Sequence, residues 1–431
     1  MKCTITKIEK ITGTVVVPSS KSESIRALVF ALLTSGTSKI ENILACEDTK
    51  TAIKVCKELW AKITRSGNAI IVQSIGVPKL RVGKKIETGD SGITTRFILP
   101  TLGFRKDFET PIIFICGSQM RNRPIGSLVS ALNSLGMNIT FKNKEGFCPL
   151  KVSGELIGGK ATIEGITSQY LSALLISLPL AQIDSEITVK DLHERPYIEM
   201  TLRWLDMFKI KYSHKRYRSN DVFTIFGKQK YSSFRQAIPG DFSGASSLIA
   251  AGCLTEGKVV LKGLDMRNSQ GDKKLLAILK KMGADIRVKK EMIEIYGGKE
   301  LKGITIDAND IPDLLPVLAI VGTFAAGKTK ITNVAQARIK ETDRIKSMCE
   351  GLKKLGARVE EHKDGLTVYK SSLYGSKVNG YKDHRTVMAF VVAGTIAEGE
   401  TQVSNAEAVQ KTFPKFYQSI NAIGAKIKLT K

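Results

Sequence analysis

"LKKLGARVEE", residues 352–361, has the form of a helix end, a glycine and the start of a strand. The same form returns as LNSLGMNIT at 132–140, LKKMGADIRV at 279–288 and INAIGAKIKL at 420–429. Weaker copies are KELWAKITRS at 57–66 and LDMFKIKYS at 205–213. The six breaks lie roughly 70 residues apart, which predicts six related structural units that stack and share cores.

A second feature has the same period: a polar or glycine-rich opening followed by a helix that is apolar on nearly every side. Such a helix must be buried. Each unit therefore supplies one buried helix and one amphipathic helix, with short strands between them, which predicts an α/β fold. The six openings lie near residues 19, 89, 166, 240, 310 and 382.

The composition is that of an ordinary soluble protein, with 42% hydrophobic and 25% charged residues in a chain of 431. The net charge of +25 admits nucleic acid, a membrane surface or small acidic substrates as partners. The basic residues are scattered, and the densest stretch, at 209–218, alternates with aromatic and polar residues as a solvated hairpin would. No apolar run reaches the roughly 18 residues of a membrane span.

The cysteines favour a reducing compartment. There are seven, no two form a CxxC pair, and only four histidines accompany them, which argues against a zinc site. The N-terminal stretch MKCTITKIEKITGTVVV alternates like a strand and lacks the apolar core of a signal peptide. We therefore expect a cytoplasmic protein.

Cations recur near the starts of the buried helices. Helix N-termini carry partial positive charge, so several of them converging with arginine and lysine would bind a polyanion. Ordinary capping explains Ser20 or Thr167 taken singly. It does not explain the recurrence of cations close to these starts, which are Lys21, Arg26, Arg96, Arg123, Arg344 and Arg385.

At these residues the chain resembles the 5-enolpyruvylshikimate-3-phosphate synthase family of 3-phosphoshikimate 1-carboxyvinyltransferases. The stretches RIKETDRI and DHR are highly specific to that family, and the resemblance runs from PSSKSESIRAL near residue 18 to KTFPKF at 411–416. Further support comes from RNRPIGSL, TSQYLSALL, ERPYIEMTL and PGDFSGAS.

The resemblance implies a two-domain inside-out α/β barrel with three repeats in each domain. One domain would comprise residues 20–239 and the other residues 1–19 plus 240–431, with the active site in the cleft between them. The chain would cross between the domains twice, near Pro18–Ser20 and near Pro239–Gly240.

The implied reaction transfers the enolpyruvyl group of phosphoenolpyruvate to the 5-hydroxyl of shikimate 3-phosphate and releases phosphate, without cofactor or metal. The implied partners are these two small molecules alone, with no nucleic acid or membrane, and the protein would be a monomer. Two phosphates and two carboxylates in one cleft require many cations and helix N-termini.

Site residues carry over position by position. Those implied to act in catalysis are Lys21, Asp313, Glu341 and His384. Those implied to bind shikimate 3-phosphate are Lys21, Ser22, Arg26, Thr167, Ser168, Gln169, Tyr197, Asp313, Gln336 and Lys340. Those implied to bind phosphoenolpyruvate are Lys21, Gly92, Arg123, Gln169, Arg344, Arg385 and Lys411.

Three positions depart from the family pattern: Glu194 stands where serine is common, Gln336 where asparagine is common, and Ile93 where threonine is common. Because a carboxylate repels a phosphate, we expect Glu194 to point away from the substrate, or the register to slip by one residue. We also expect Thr342 to cap the helix that follows it.

Two alternative functions share features with this one: enolpyruvyl transfer to a different acceptor, and nucleic-acid binding by a basic repeat protein. The sister enzyme that transfers enolpyruvyl to UDP-N-acetylglucosamine usually has a cysteine five residues before the arginine of its "RP" stretch. Here that position is Ser118, and Cys116 is out of register. A basic repeat protein that binds nucleic acid would use the positive charge without needing Asp313, Glu341 or His384.

Overall fold

Six four-stranded sheets with the same pattern of parallel and antiparallel neighbours organise the described part of the chain, which is residues 1–77, 80 and 82–430 of the computed structural model. The chain divides into two units. Unit 1 comprises Met1–Ser20 and Pro239–Lys431, and unit 2 comprises Lys21–Ile238. Each unit contains three of the sheets and buries its own cluster of hydrophobic side chains.

The strands are short, as the sequence predicted. The first twelve are β1 (Lys2–Thr6), β2 (Gly13–Val16), β3 (Ser35–Glu41), β4 (Lys62–Ser66), β5 (Ala69–Ile75), β6 (Lys85–Glu87), β7 (Ile112–Ile115), β8 (Met137–Phe141), β9 (Leu150–Gly154), β10 (Gly159–Glu164), β11 (Ser185–Lys190) and β12 (Tyr212–Arg216). The others are β13 (Asn220–Ile225), β14 (Arg235–Ala237), β15 (Lys258–Lys262), β16 (Asp285–Lys289), β17 (Met292–Tyr296), β18 (Thr305–Asp307), β19 (Lys328–Thr332), β20 (Val359–His362), β21 (Gly365–Tyr369), β22 (Lys377–Val378), β23 (Glu400–Ser404) and β24 (Lys426–Thr430).

The helices alternate between buried and amphipathic. The buried helices are α1 (Lys21–Leu33), α3 (Gly92–Thr101), α5 (Ser168–Ser177), α7 (Phe242–Leu254), α9 (Leu315–Phe324) and α11 (His384–Gly394). The amphipathic helices are α2 (Glu47–Glu58), α4 (Gly126–Ser134), α6 (Arg195–Met207), α8 (Lys274–Met282), α10 (Arg344–Lys354) and α12 (Phe416–Ala422). All six buried helices match the predicted apolar stretches.

Every sheet repeats one topology. Its first strand is parallel to the second, and the remaining neighbours are antiparallel. The orders in unit 2 are β14-β3-β5-β4, β6-β7-β9-β8 and β10-β11-β13-β12. The orders in unit 1 are β2-β15-β17-β16, β18-β19-β21-β20 and β22-β23-β1-β24. This repetition confirms the six predicted repeats.

The predicted breaks share one backbone conformation. At each of them the amphipathic helix ends at a residue with positive φ, a conformation that glycine adopts at little cost and other residues adopt rarely. The six residues are Trp60 (φ 72°), Gly136 (106°), Lys209 (56°), Gly283 (109°), Gly356 (89°) and Gly424 (115°). The two weak copies are therefore true repeats in which tryptophan and lysine adopt the left-handed conformation.

The chain passes between the units at two adjacent segments. The amide of Ser20 donates to the carbonyl of Pro239 (2.7 Å), and the amide of Asp241 donates to the carbonyl of Pro18 (2.8 Å). The two segments therefore run side by side as an antiparallel bridge.

Candidate active site

A buried arginine organises the polar residues of unit 1. The Nε of Arg344 donates to Asp383 (2.9 Å), Nη1 donates to Asp313 (2.7 Å), and Nη2 donates to Glu341 (2.9 Å). The Arg344 side chain is only 1% exposed. We call these four residues the Arg344 network. It unites three residues that the sequence predicted to be functional with one, Asp383, that it did not.

The charges of the Arg344 network stabilise one another. Burial opposes ionisation of Arg344, but the carboxylates of Asp383, Asp313 and Glu341 outweigh it and raise the pKa of the guanidinium well above its usual value. Burial would likewise raise the pKa of Asp313, yet Arg344 and other nearby cations hold the pKa of that carboxyl below its usual range. Asp313 is therefore ionised at neutral pH.

Two aspartates near Arg344 are helix N-caps, and one of them belongs to the Arg344 network. Asp383 is the N-cap of α11, and its carboxylate accepts from the backbone amides of Arg385 (2.7 Å) and Thr386 (3.2 Å). The N-cap of α10 is Asp343, which accepts from the amide of Lys346 (3.0 Å). The predicted capping by Thr342 is thus wrong by one residue, because the longer reach of the neighbouring carboxylate makes it the better acceptor.

Other predicted residues of unit 1 lie around this network. His384 and Arg385 are buried at the first turn of α11, and Arg385 donates through Nη1 to the carbonyl of Ser243. Lys340 acts on Asp313 through its positive charge. The side-chain amide of Gln336 donates to the backbone carbonyl of Asn309 (2.8 Å) rather than to a residue of the Arg344 network. Lys411 ends the short segment Ala406–Lys411, which packs against α11.

Asp272 is a further buried acid that the sequence did not single out. Its carboxylate lies near the hydroxyl of Ser243 and the charges of Asp313, Arg385 and Asp241. Burial, followed by the repulsion from Asp313, raises the pKa of Asp272 to about 7. Between pH 3.8 and about 7, the folded protein therefore keeps a proton on Asp272, whereas an unfolded aspartate, with its usual pKa of 3.8, has lost it.

This difference predicts a pH-dependent gain of stability in Asp272→Asn. Between pH 3.8 and about 7 only the folded state binds the proton, so the stability of the natural protein falls as pH rises through that window. The variant has no such proton to lose. We expect the thermal midpoint of the variant to exceed that of the natural protein by more at pH 8 than at pH 5. Between these pH values the free energy of unfolding of the natural protein should fall, relative to that of the variant, by on the order of 3 kcal/mol.

Thermal unfolding at both pH values, in the same ionic strength, measures this difference. Asp285→Asn is the matched control, because Asp285 forms a surface ion pair with Arg287. A midpoint difference for Asp272→Asn that does not change with pH would contradict the prediction.

In unit 2 the predicted residues lie at the starts of α1, α3 and α5. Lys21 pairs with Asp48 (3.1 Å), a partner that the sequence did not reveal. Arg26 is fully buried, and its guanidinium donates to the backbone carbonyls of Ser22 (3.2 Å) and Tyr197 (3.0 Å). Arg26 therefore connects α1 to α6 through hydrogen bonds, in addition to its predicted role in substrate binding.

Two further arginines meet at the start of α3. An added Cβ on Gly92 would lie 2.5 Å from Nη1 of Arg123 and 3.2 Å from Nη1 of Arg96. Arg96 also donates to the side-chain oxygen of Gln169 (2.6 Å), which connects the start of α3 to the start of α5. Gly92, Arg123 and Gln169, all predicted to bind one ligand, thus lie in a single cluster.

The predicted orientation of Glu194 is wrong. Its carboxylate accepts hydrogen bonds from both the amide (3.0 Å) and the hydroxyl (2.7 Å) of Ser168, the residue predicted to hold a phosphate. The side chain therefore points toward that position rather than away from it. Thr167, the N-cap of α5, accepts a long hydrogen bond from the amide of Gln169 (3.4 Å).

Sequence reasoning missed Asp48 and Asp272, which occupy the same place in their repeats as Glu194, the residue whose contact it predicted wrongly. Asp48, Glu194 and Asp272 each lie just before or at the start of an amphipathic helix and contact or face the first turn of the buried helix in their own repeat. Arg123 and Glu341 occupy the corresponding places in other repeats. Aligning the six repeats with one another would have found them.

The described residues contain neither a metal-binding cluster nor a membrane-spanning helix. Within residues 1–77, 80 and 82–430, no group of three or more His, Cys, Asp or Glu side chains is arranged to hold a metal ion. In the same residues, every helix is too short or too polar to span a bilayer.

Comparison with known proteins adds independent findings. The family profile described as EPSP synthase (3-phosphoshikimate 1-carboxyvinyltransferase) matches residues 5–420. A 3-phosphoshikimate 1-carboxyvinyltransferase of Acetivibrio thermocellus is 44% identical over 418 residues, which cover 97% of either chain. One of Ruminiclostridium cellulolyticum is 40% identical over 425 residues, covering 98% of this chain and 99% of that protein.

The fold has solved counterparts. An EPSP synthase structure from Acinetobacter baumannii superposes with a TM-score of 0.81 over 100% of both chains, at 23% sequence identity. This likeness concerns the architecture, and it confirms the predicted α/β fold of six repeats.

Proposed function

The chain belongs to the EPSP synthase family, and we propose that both of its units supply residues to the family's reaction. It transfers the enolpyruvyl group of phosphoenolpyruvate to the 5-hydroxyl of shikimate 3-phosphate, a step of the shikimate pathway toward aromatic amino acids. The Arg344 network is the observation that carries the proposal for the site. It places three carboxylates on one buried cation, and two of them, Asp313 and Glu341, are predicted catalytic residues.

The two carboxylates suit the proton transfers of an addition followed by an elimination. In the addition, the 5-oxygen bonds to C2 of phosphoenolpyruvate, the hydroxyl loses its proton, and the methylene carbon gains one. In the elimination, the C2–phosphate bond breaks and the methyl carbon returns a proton. We assign the hydroxyl proton to Asp313, which is ionised, and the carbon proton to Glu341. Lys21 and His384 assist near the reacting atoms.

Substrate charge is matched by donors of both units. For shikimate 3-phosphate we propose contacts from the first turns of α1 and α5, from Tyr197, and from Asp313, Gln336 and Lys340. For phosphoenolpyruvate we propose Lys21 and the cluster of Gly92, Arg123 and Gln169, together with Arg344, Arg385 and Lys411. One guanidinium group can donate two parallel hydrogen bonds to two oxygens of a carboxylate or phosphate, which supports this assignment.

Gly92→Ala tests the phosphoenolpyruvate assignment. Because the added Cβ would lie 2.5 Å from Nη1 of Arg123, that guanidinium must move. We expect the KM for phosphoenolpyruvate to rise about tenfold or more, as for loss of one hydrogen bond to a charged group. The KM for shikimate 3-phosphate should change little. Gly83→Ala is the matched control, since a Cβ there has open space. Equal effects on both KM values would refute the assignment.

The cellular setting is part of the proposal. We propose a cytoplasmic monomer that binds neither nucleic acid nor membrane. In support, all seven cysteines are buried and none forms a disulfide, as in a reducing compartment. Three cations with functional assignments, Lys21, Arg344 and Arg385, contact carboxylates or carbonyls near helix starts.

Phosphate release tests the function directly. The protein is mixed with phosphoenolpyruvate and either shikimate 3-phosphate or UDP-N-acetylglucosamine, and inorganic phosphate is measured. We expect release only with shikimate 3-phosphate. Release only with the nucleotide sugar would overturn the assignment in favour of the sister reaction. Tight nucleic-acid binding without phosphate release would favour the repeat-protein alternative.

A further inference from the structure

A carboxylate of the chain occupies the donors at the start of α5. One oxygen of Glu194 accepts from both the amide (3.0 Å) and the hydroxyl (2.7 Å) of Ser168. Both side chains are almost fully buried, with Glu194 1% and Ser168 2% exposed. A helix N-terminus favours an anion, and hydrogen bonds to a carboxylate are strong, so this contact stabilises the position of the Glu194 side chain.

The backbone holds Glu194 in this place. Its φ of 56° lies in the left-handed region, which non-glycine residues adopt rarely. The following residue, Arg195, donates to both carboxylate oxygens of Asp221 (3.0 and 2.6 Å), and this pair fixes the start of α6. The carbonyl of Glu194 accepts from the amide of Tyr197 (3.0 Å). The carboxylate is therefore directed at Ser168 by a fixed turn rather than by a mobile loop.

We propose that Glu194 is a specificity-determining residue whose carboxylate competes with the phosphate of shikimate 3-phosphate for the donors of Ser168. The proposal rests on the function given above, in which the first turn of α5 binds that phosphate. A carboxylate and a phosphate dianion repel each other and cannot accept from the same two donors. Glu194 must therefore be displaced when the substrate binds, and the displacement weakens binding.

The competition has a signature that a structural role would not produce. Removing the carboxylate should strengthen binding of the phosphorylated substrate and leave unphosphorylated shikimate unaffected, because only the phosphate uses the contested donors. Phosphoenolpyruvate should also be unaffected. A merely structural glutamate, when replaced, would weaken the binding of all three or of none.

The experiment compares Glu194→Ser and Glu194→Gln with the natural protein. The serine variant frees the donors, and the glutamine variant keeps the size but removes the charge. We expect the KM for shikimate 3-phosphate to fall about tenfold in Glu194→Ser, as for release of one charge-assisted contact, and less in Glu194→Gln. The KM for phosphoenolpyruvate should stay within about twofold. Glu186→Gln, at a surface pair with Lys160, is the matched control.

A second measurement separates affinity from folding. Inhibition by shikimate, against shikimate 3-phosphate as substrate, should show an unchanged inhibition constant in both variants. An unchanged or higher KM for shikimate 3-phosphate in both variants would overturn the inference while leaving the proposed function intact. Absence of phosphate release by the natural protein would overturn the proposed function, and this inference with it.

Discussion

Replacing Arg344 with methionine is expected to lower the free energy of unfolding by roughly 3–5 kcal/mol and to abolish enolpyruvyl transfer. The guanidinium is the shared partner of Asp313, Glu341 and Asp383, at 2.7–2.9 Å. Methionine fills a similar volume but cannot donate. The substitution therefore leaves the buried carboxylate of Asp383 and the partly buried carboxylates of Asp313 and Glu341 without their cation, which costs more than the loss of an exposed ion pair.

Urea unfolding and steady-state turnover measure the two effects. Arg358→Met is the matched control, because Arg358 is mostly exposed and lies 3.8 Å from Glu360. We expect that substitution to change stability by less than about 1 kcal/mol. Equal losses in the two variants would show that the Arg344 network does not stabilise the fold. Normal turnover in Arg344→Met would remove the residue from substrate binding.

Asp313→Asn and Glu341→Gln are each expected to lower turnover by roughly 10²–10⁴-fold without unfolding the protein, as for loss of a general acid or base. Each substitution keeps the size of the side chain and removes its capacity to exchange a proton. Asp313 is ionised at neutral pH, as a group that accepts the hydroxyl proton must be, and the cations that lower its pKa also weaken it as a base.

The control for these acids is Asp310→Asn, a neighbouring surface aspartate paired with Lys274 at 2.6 Å. Single-turnover measurements of phosphate release separate the chemical step from substrate binding. If either acid variant retains turnover within about threefold of the natural protein, that residue takes no part in proton transfer.

The repeats were predictable because each leaves a periodic mark in the sequence. A glycine ends the amphipathic helix in four of them, at the left-handed residues 136, 283, 356 and 424. The mark is faint at Trp60 and Lys209, where a larger residue takes the same conformation. The topology of the sheets was not predictable in this way, because strand order depends on pairings between distant residues.

The site residues followed from the family resemblance, but their partners did not. Asp383 reads as a helix cap in the sequence, and it is one, yet the same carboxylate also binds Arg344. Glu194 was expected to avoid an anion site because like charges repel. Its carboxylate instead accepts from both the amide and the hydroxyl of Ser168, because donors at a helix N-terminus favour an anion. Electrostatic reasoning from sequence must therefore consider attraction to nearby donors as well as repulsion from a bound anion.

The position of β1 in its sheet determines when that sheet can form during synthesis of the chain. β1 lies between β23 and β24, pairing Lys2 with both Ser404 and Thr430. It leaves the ribosome before every other strand of unit 1 but has no partners until about 400 further residues have been translated. Unit 2, one continuous segment, can fold during that interval. The early strand must therefore stay unpaired until β23 and β24 have been translated.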